Sequence, residues 1–300
     1  MDFVLTLLTD PAAPALNGAL VALAREALIE SGAEAGTAHW LSQSIACDLP
    51  FAGLPTDVAE NAVRQYLIDA PVDLCAQAVA HRRKRLLVAD MDSTVIHQEC
   101  IVELADFAGR RAEVAEITDR AMLGDLDFTE ALEARAQMLQ GLTSAQMERA
   151  YRERVTLSPG AQTLVRTMRA NGAATALVSG GFTFFTERVR ENAGFDDDQA
   201  NDLEVVDGIV TGRVRPPVLD RSAKLSALMR LADQHAVPVE ETMTVGDGAN
   251  DIAMIQAAGL GVAYHARPLV AAAARARIDH GDLTALLYLQ GYHDRDFTTA

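Results

Sequence analysis

The chain has 300 residues, 49% of them apolar and 23% charged, which is the composition of an ordinary globular protein. Its length exceeds what one hydrophobic core usually needs, so we expect two domains or one large domain with an insertion. Forty-two acidic residues against twenty-six basic ones give a formal net charge of -16. Nucleic-acid phosphates recruit basic surfaces, so this balance argues against a nucleic-acid partner.

Cysteine usage and the apolar runs bear on the location of the protein. The three cysteines, Cys47, Cys75 and Cys100, show no close pairing. They indicate neither a disulfide framework nor a cysteine-type zinc site, and a reducing cytoplasm fits them best. The first ten residues lack a basic region and their apolar run breaks at Asp10, so we expect no signal peptide. No apolar stretch has membrane-spanning length, and no membrane contact is expected.

The first eighty residues have the pattern of a separate small α+β unit. The predicted elements are a strand over 3–8, a helix over 17–30, an extended pair over 37–49 and a helix over 57–68. We place one domain at 1–80 and a second at 81–300, joined through residues 71–85. A dense basic run occupies 81–85, and we interpret it as a solvated lead-in to the next strand.

Short apolar runs alternate with helical patterns in the rest of the chain. Fully apolar runs, typical of strands covered on both faces, occur at 86–89, 174–178, 242–245 and 260–263. Segments with apolar residues at helical spacing separate them, as at 160–170 and 222–234. This alternation predicts an α/β fold with a doubly wound parallel sheet.

Two segments depart from that alternation. Residues 101–154 are rich in Ala, Glu, Arg, Leu and Met without a convincing strand, which predicts a helical cap inserted at about 99–160. Asp207 and Gly208 stand between β-branched residues, a strong signal for a hairpin that forms a small flap beside the sheet.

Two carboxylates directly follow the first apolar run of this sheet. In an extended backbone, residues two apart face the same side, so Asp90 and Asp92 can both point off the carboxyl end of the strand. Open α/β sheets bind their ligands at that edge. Adjacent carboxylates repel each other, so holding both there requires a cation or a shared proton.

Further polar turns follow two other predicted strands. Asp247 lies in the run Gly-Asp-Gly-Ala-Asn-Asp, where Asn250 or Asp251 could cap the next helix. Oxygen ligands from two strand ends suit a hard ion such as Mg2+. Ser179 and the N–H of Gly180 can hold phosphate oxygens, although such residues are also common in ordinary turns.

Together these runs resemble the four motifs of the haloacid dehalogenase-like phosphatases, and more closely those of the phosphoserine phosphatases. The resemblance covers about residues 86–290, and its most specific parts are DMDST at 90–94, VSGGF at 178–182 and GDGAND at 246–251. It implies hydrolysis of O-phospho-L-serine to serine and phosphate through an aspartyl-phosphate, which is the last step of serine biosynthesis.

The resemblance also implies a role for each matching residue. Asp90 is implied as the nucleophile, and Asp92 as the acid and base. Mg2+ is implied as the cofactor, held by the Asp90 carboxylate, the Asp92 backbone carbonyl and Asp247. The residues implied around the phosphate and the metal waters are Ser179, Gly180, Lys224, Asn250 and Asp251.

The resemblance assigns substrate choice to the inserted segment. Glu99 matches a family residue that binds the substrate ammonium, and Arg135 matches one that grips the substrate carboxylate. Met122 and Phe128 match apolar positions that line the same pocket. By residue type alone, Glu99 and Arg135 are typical of exposed helix surfaces. The stretch 130–135 lacks basic residues associated with the family, which is a departure from its pattern.

Other functions remain open from the residues alone. An enzyme with the same first half-reaction could pass the phosphate to an alcohol such as homoserine instead of water. A catalytically dead domain could serve an amino-acid sensor, because the first eighty residues look like the ACT-type regulatory domains ahead of some phosphoserine phosphatases. That unit could also form a homodimer or be merely structural. His97 lies near the first motif, where it would line the entrance of the site.

Overall fold

The structure, a computed structural model, describes residues 1–123, 125–220 and 222–299, without the side chain of Met122. Met122, expected to line the substrate pocket, therefore lies outside the described side chains. The strands in these ranges form two sheets, one of five strands and one of seven. No helix in the same ranges is both long and apolar enough to cross a membrane.

The five-stranded sheet lies in the first part of the chain, with two helices packed on one face. Its elements are β1 (Phe3–Leu8), α1 (Gly18–Glu30), β2 (Glu34–Ala35), β3 (His39–Ser42), β4 (Ala46–Ala52), α2 (Thr56–Tyr66) and β5 (Asp73–Ala78). The strand order β2-β4-β1-β5, with β3 also paired to β4, is that of an antiparallel β-α-β-β-α-β unit. Asn17 begins α1, because its side chain accepts hydrogen bonds from the N–H groups of Ala19 and Leu20.

Strand β5 lies where the sequence predicts only a connection. Asp73 and Gln77 interrupt its apolar pattern. Asp73 accepts hydrogen bonds from the N–H groups of residues 279–281, and Gln77 Nε2 donates to the Leu289 carbonyl oxygen at 2.6 Å. The local pattern hides this strand because its polar side chains are satisfied by backbone groups that are distant in sequence.

The seven-stranded sheet forms the centre of the molecule. Its strands are β6 (Leu86–Ala89), β7 (Ala174–Phe182), β8 (Asp197–Val206), β9 (Ile209–Arg215), β10 (Thr242–Gly246), β11 (Leu260–Tyr264) and β12 (Ala276–Ile278). The order is β12-β11-β10-β6-β7-β8-β9, and every pair is parallel except β8 and β9. The predicted parallel sheet is confirmed, and β6, which carries the first motif, is its central strand.

Of the helices described between β6 and β7, the first four α-helices form the cap. They are α3 (Cys100–Phe107), α4 (Arg111–Leu123), α5 (Phe128–Gln137) and α6 (Ser144–Arg154). Asp207 and Gly208, with φ of 48° and 77°, join β8 to β9 in the predicted hairpin. Val210 of this hairpin exchanges backbone hydrogen bonds with Gly141 and Leu142. The hairpin therefore supports the cap in addition to extending the sheet.

The sheet is covered on both faces. The remaining helices are α7 (Ala161–Ala170), α8 (Thr183–Ala193), α9 (Ala223–Gln234), α10 (Ile252–Ala257), α11 (Pro268–Ala273) and α12 (Ala285–Leu289). Leu86 and Val88 pack in an apolar cluster with α9, whereas Leu87 and Ala89 face the larger cluster that includes α7, α8 and α12. Alternate residues of β6 are thus buried on opposite sides, as the continuous apolar run predicts, and the doubly wound fold is confirmed.

The basic run at 81–85 connects the two sheets, which also meet where β5 contacts β12. Arg82 donates to both carboxylate oxygens of Asp48, at 2.6 and 2.8 Å, and also to Thr6 Oγ1 at 2.9 Å. Lys84 is 6% exposed, and its Nζ donates to the Glu240 carbonyl oxygen at 2.7 Å. The expected solvated basic run is therefore wrong at Arg82 and Lys84, because acceptors from distant parts of the chain surround them.

The two sheets also share apolar contacts. Leu8 and Cys75 of the five-stranded sheet lie in the same apolar cluster as α7, α8 and α12. Cys47, Cys75 and Cys100 are all buried and free. The division of the chain into domains at about residue 80 stays a prediction.

Candidate active site

The carboxyl ends of three neighbouring strands meet at one edge of the seven-stranded sheet. β6 lies between β7 and β10, and Asp90, Ser179 and Asp247 lie within or just after the ends of these strands. Parallel strands present these ends at the same edge, so residues far apart in sequence converge there. A cavity of about 60 Å³ lies at this edge beneath the cap, lined by Asp90, Asp92, Glu99, Ile101, Thr118, Ala121, Phe128, Leu132, Arg135, Ser179, Gly180, Gly181 and Asn250.

Lys224 links two buried carboxylates. Its Nζ lies 2.6 Å from Asp90 Oδ1 and 2.5 Å from Asp251 Oδ1, and the residue is 4% exposed. Burial opposes the ammonium charge, but the Asp251 and Asp90 carboxylates outweigh burial and raise the pKa of Lys224. Lys224 therefore places a permanent positive charge beside Asp90.

Three buried carboxylates form one cluster around that lysine. Ligand oxygens of Asp90, Asp247 and Asp251 all lie within 4.8 Å of one another. Burial and the Asp251 charge raise the pKa of Asp90 well above its usual value, and they raise the pKa of Asp247 to about 7. Thr94 Oγ1 donates to Asp247 Oδ1 at 3.0 Å. Lys224 pairs with Asp90 and Asp251 but not with Asp247, and a divalent cation fits the cluster because it would offset the burial and repulsion that raise these pKa values.

Asp92 lies beside this cluster, but other partners hold its carboxylate. Oδ1 accepts from the Cys100 backbone N–H at 2.8 Å, and Oδ2 accepts from the Ser179 hydroxyl at 3.0 Å. The backbone is extended at both Asp90 (φ -69°, ψ 155°) and Asp92 (φ -67°, ψ 138°), and both side chains line the cavity. Burial raises the pKa of the Asp92 carboxyl, which suits a group that carries a proton to a substrate.

The loop at residues 179–181 lies against the cap. The Gly181 N–H donates to Ser179 Oγ at 2.8 Å, which fixes the turn. A Cβ atom on Gly180 would lie 2.6 Å from the ring of Phe128, so this ring of α5 rests directly on the backbone of the loop. Only a glycine permits so close an approach, and the contact closes the cap over the cavity.

Asn201 supports this loop from the neighbouring strand β8. It is 1% exposed, its Nδ2 donates to the Gly180 carbonyl oxygen at 3.0 Å, and its Oδ1 accepts from the Leu219 N–H at 2.8 Å. Nothing in the local pattern marks Asn201, because both partners come from other parts of the chain. The one available signal is a buried amide side chain inside a strand.

Glu99 precedes α3 and lines the cavity. The Ser93 hydroxyl donates to Glu99 Oε1 at 2.6 Å. Burial, followed by the nearby Asp92 charge, raises the pKa of Glu99 to about 8. A nearby cation would stabilise the ionised form of Glu99, because its charge offsets both the cost of burial and the repulsion from Asp92.

Arg135 lies on α5 and is 7% exposed, in contrast to the exposed helix position that its residue type suggests. Its Nε donates to the Ala131 carbonyl oxygen at 3.0 Å, and its Nη1 donates to Thr118 Oγ1 at 2.9 Å. Within the described ranges it makes no ion pair, and burial lowers its pKa. A buried guanidinium that faces a cavity with unused donors suits an anionic ligand.

Asp251 and Asn250 do not cap α10 as expected. Asp251 Oδ1 is bound to Lys224, and its Oδ2 accepts from the Gly248 N–H at 3.1 Å, so no side chain caps α10. A Cβ atom on Gly246 would lie 2.4 Å from the Asp251 carboxylate, which explains the glycine at this point of the motif. Asn250 lines the cavity instead. The capping prediction is wrong because the buried ammonium is the stronger partner for Asp251.

His97 lies outside the cavity. It is exposed and lines a separate groove with His265 and His280. Asp10 from the first part of the chain lines the same groove, so the groove lies where the two sheets adjoin the base of the cap.

Comparison with known proteins identifies the family. The haloacid dehalogenase-like hydrolase family matches residues 87–256, and the chain belongs to this family. A phosphoserine phosphatase of Streptomyces coelicolor is 43% identical to this chain over 248 residues, which cover 82% of this chain and 60% of that protein. The chain therefore spans about three fifths of the length of this relative.

Two solved structures extend the comparison. A phospho-aspartyl intermediate analogue of phosphoserine phosphatase has a TM-score of 0.66 at 38% identity, and it covers 69% of this chain and 98% of that chain. A probable phosphoserine phosphatase from Vibrio cholerae has a TM-score of 0.77 at 32% identity, and it covers 97% of this chain and 86% of that chain. The second match includes both sheets.

Proposed function

We propose that this protein is a phosphoserine phosphatase that hydrolyses O-phospho-L-serine through an aspartyl-phosphate on Asp90. The observation that carries the proposal is one cavity that combines an acidic cluster at a strand edge with Glu99 and with a buried Arg135 that no described carboxylate neutralises. The acidic cluster suits phosphate-ester chemistry, and the other two residues suit the ammonium and carboxylate of an amino acid. The relatives described above carry this activity in their names.

The first half-reaction transfers the phosphoryl group to Asp90. Hydrogen bonds to this carboxylate from the Met91 N–H and Lys224 use Oδ1, so among the described residues Oδ2 is left for attack on phosphorus. As the new O–P bond forms, the bond between phosphorus and the seryl oxygen breaks, and Asp92 donates a proton to that oxygen. The raised pKa of Asp92 keeps this proton available.

The second half-reaction releases phosphate. Water attacks the phosphorus atom of the aspartyl-phosphate, and the Asp92 carboxylate takes a proton from that water. The bond between phosphorus and Asp90 then breaks, which restores the carboxylate and yields inorganic phosphate. The Cys100 N–H donates to Asp92 Oδ1 and so keeps this carboxyl group oriented in both steps, while Ser179 donates to Oδ2 before the substrate binds.

Fixed donors stabilise the phosphoryl oxygens as charge shifts in the transition state. Lys224 is held beside Asp90 by Asp251, and the Ser179 hydroxyl and the Gly180 N–H lie on the neighbouring loop. Asn201 holds the Gly180 carbonyl oxygen and so fixes the direction of this loop. The Ser179 hydroxyl has one proton, so it must rotate from Asp92 to donate to the phosphate when the substrate binds.

Mg2+ is the cofactor that we propose, because oxygen ligands at two strand ends are its preferred environment. Asp90, Asp247 and the Asp92 backbone carbonyl would hold the ion, while Asn250 and Asp251 would orient its waters or Lys224. When bound, the ion offsets the repulsion between the carboxylate nucleophile and the phosphate dianion.

The cap selects the amino-acid part of the substrate. Arg135 offers a planar fork of donors to the substrate carboxylate, and Glu99 offers a carboxylate to the ammonium. The Phe128 ring closes the pocket above Gly180 and limits its size. The pocket therefore matches a small amino acid that carries a phosphate ester.

Phosphate release from O-phospho-L-serine in the presence of Mg2+ tests the proposal. We expect equal amounts of serine and phosphate, loss of turnover with EDTA, and recovery when Mg2+ is restored. We also expect kcat/KM for O-phospho-L-serine to exceed that for p-nitrophenyl phosphate by about tenfold or more. Turnover of other phosphate esters but not of O-phospho-L-serine would overturn the substrate assignment. Serine release without matching phosphate, when an alcohol is added, would overturn hydrolysis.

The homodimer expected through the first eighty residues stays a prediction, as do the ACT-type likeness and the cytoplasmic location. Apolar side chains exposed on or next to the helices of this unit support a contact surface there: Leu23, Ile29, Val58, Tyr66 and Ile68. Mass measurement by size-exclusion chromatography with light scattering, with and without serine, tests the assembly and its response to an amino acid. A monomer at every concentration would contradict the dimer.

A further inference from the structure

Thr118 lies on α4 of the cap, lines the cavity and is 3% exposed. Its hydroxyl donates to the Val114 carbonyl oxygen at 2.8 Å, one turn earlier in the same helix. Arg135 Nη1 donates to the Thr118 oxygen at 2.9 Å. The direction of this second bond is fixed, because a guanidinium has donors only. The Thr118 hydroxyl therefore acts as a donor to Val114 and as an acceptor from Arg135.

The guanidinium of Arg135 has one other anchor, the bond from Nε to the Ala131 carbonyl oxygen of its own helix. Anchors at Nε and Nη1 fix the position and the plane of the group. They use two of its five N–H donors, and the described residues supply no acceptor for the others. The unused donors include both on Nη2, and the cavity is the place where a carboxylate can reach them.

We propose that Thr118 is a positioning residue that sets the plane of the Arg135 guanidinium for the substrate carboxylate. This inference rests on the proposed function. Bidentate recognition of a carboxylate requires the two planar groups to be aligned, and one hydrogen bond at Nε leaves the whole guanidinium plane free to turn about that bond. Thr118 supplies the second anchor from a different helix. It thereby contributes to the choice of amino-acid phosphates over phosphate esters without a carboxylate.

A threonine that bonds to the carbonyl oxygen one turn earlier is common in helices and is not by itself functional. The contact of Thr118 with Arg135 also joins α4 to α5, which is a structural role. The two roles predict different results. A structural role affects every substrate, whereas a positioning role affects only substrates that Arg135 binds.

The test compares Thr118→Val with Thr118→Ser on two substrates, using the whole chain with Mg2+. O-phospho-L-serine has the carboxylate, and O-phosphoethanolamine has the same phosphate and ammonium groups without it. We expect Thr118→Val to raise KM for O-phospho-L-serine by about tenfold, with kcat changed less than about threefold. We expect kcat/KM for O-phosphoethanolamine to change less than about twofold, and Thr118→Ser to restore most of the lost affinity.

Two controls help to distinguish a positioning role of Thr118 from a structural one. Thr167→Val changes another fully buried threonine, on α7, whose Oγ1 accepts from the Thr298 N–H, and it should leave both substrates unaffected. In the Arg135→Ala background, Thr118→Val should not change KM for O-phospho-L-serine further, because the guanidinium that Thr118 positions is absent. If Thr118→Val does not fold, as judged by circular dichroism and Tm, Thr118→Ala is compared with Thr118→Ser in its place.

Equal losses on both substrates, or no change on O-phospho-L-serine, would overturn the role of Thr118. An additive loss in the Arg135→Ala background would also overturn it. If the unmodified protein does not hydrolyse O-phospho-L-serine, the proposed function fails and this inference fails with it. Normal turnover by the unmodified protein together with an unchanged Thr118→Val variant overturns the inference alone.

Discussion

Buried charged side chains occur both at the cavity and at the junction between the two sheets. They differ in how completely other groups of the protein pair with them. At the junction, Arg82 binds both oxygens of Asp48, and Asp73 accepts from the N–H groups of residues 279–281. Each of these charges finds its partners within the protein. They therefore serve to fix one part of the chain against another.

At the cavity, the partners are incomplete. Lys224 pairs with Asp90 and Asp251, and among the described residues no cation pairs with Asp247 and no carboxylate pairs with Arg135. Leaving buried charge poorly compensated costs stability, and such a cost persists where a ligand provides the missing partner. The degree of charge compensation, rather than burial itself, therefore separates a binding site from a structural contact.

Asp90→Asn gives the largest expected effect. Turnover should fall by about 10^4-fold or more, because no carboxylate remains to form the aspartyl-phosphate. Folding should be retained, with Tm changed by less than about 3 °C without metal, because the variant removes one of three repelling carboxylates. Phosphate release, covalent labelling and thermal unfolding measure these outcomes. Phosphoenzyme that still accumulates in this variant would contradict the nucleophile assignment.

Arg82→Ala probes the junction and should show the opposite behaviour. It leaves the buried Asp48 without its cation, so the free energy of unfolding should fall by about 3–5 kcal/mol while kcat/KM of the folded protein stays within about twofold. Urea unfolding at 25 °C measures the loss. Arg149→Ala, which breaks an exposed pair with Glu153, is the control and should have no measurable effect on stability. A fall in kcat/KM of more than about twofold, with the free energy of unfolding unchanged, would contradict the structural role of Arg82.

Arg135→Ala should affect specificity more than turnover. We expect kcat/KM for O-phospho-L-serine to fall by about a hundredfold, because a charge-assisted bidentate contact is lost. The value for p-nitrophenyl phosphate should stay within about threefold, because that ester has no carboxylate. Steady-state kinetics measures kcat/KM for the two substrates. An equal fall in kcat/KM for both would mean that Arg135 supports the structure of the cap and does not bind the substrate carboxylate.

Glu99 gives the smallest effect, seen as a dependence on pH. Burial and the Asp92 charge raise the pKa of Glu99 to about 8, so below that pH this carboxyl is mostly protonated in the free protein. The ionised form is the one that binds an ammonium, so KM for O-phospho-L-serine should fall by roughly eightfold between pH 7 and 8.5. Glu99→Gln should flatten this dependence while raising KM throughout. A pH profile that is identical in both proteins would remove Glu99 from substrate binding.

Much of the fold was predictable because its signals are local. The buried run at 86–89 coincides with β6, Asp207 and Gly208 form the predicted turn, and α1 begins at Gly18, one residue inside the predicted helix. Each of these depends on periodicity or turn chemistry within a few residues. Strand β5 was missed because its polar residues have partners in another part of the chain.

The motif residues around the strand ends were also accessible from the sequence, since their spacing resembles a known family. The residues that hold them were not. Thr118 and Asn201 each hydrogen-bond to a residue named by a motif or by the resemblance, and no pattern in their own segments marks them. Thr118 meets Arg135 when two cap helices pack together, and Asn201 meets Gly180 when β8 pairs with β7.

Backbone propensity and side-chain periodicity are local properties, so the order of residues specifies which segments become strands and helices and which side chains follow particular strands. The compensation of charges follows only from the folded structure. It places Lys224 between Asp90 and Asp251, packs Arg82 against the buried Asp48, and leaves Arg135 facing a cavity. Electrostatic energy depends on distance in space and on access to water, and neither quantity can be read from the order of residues along the chain.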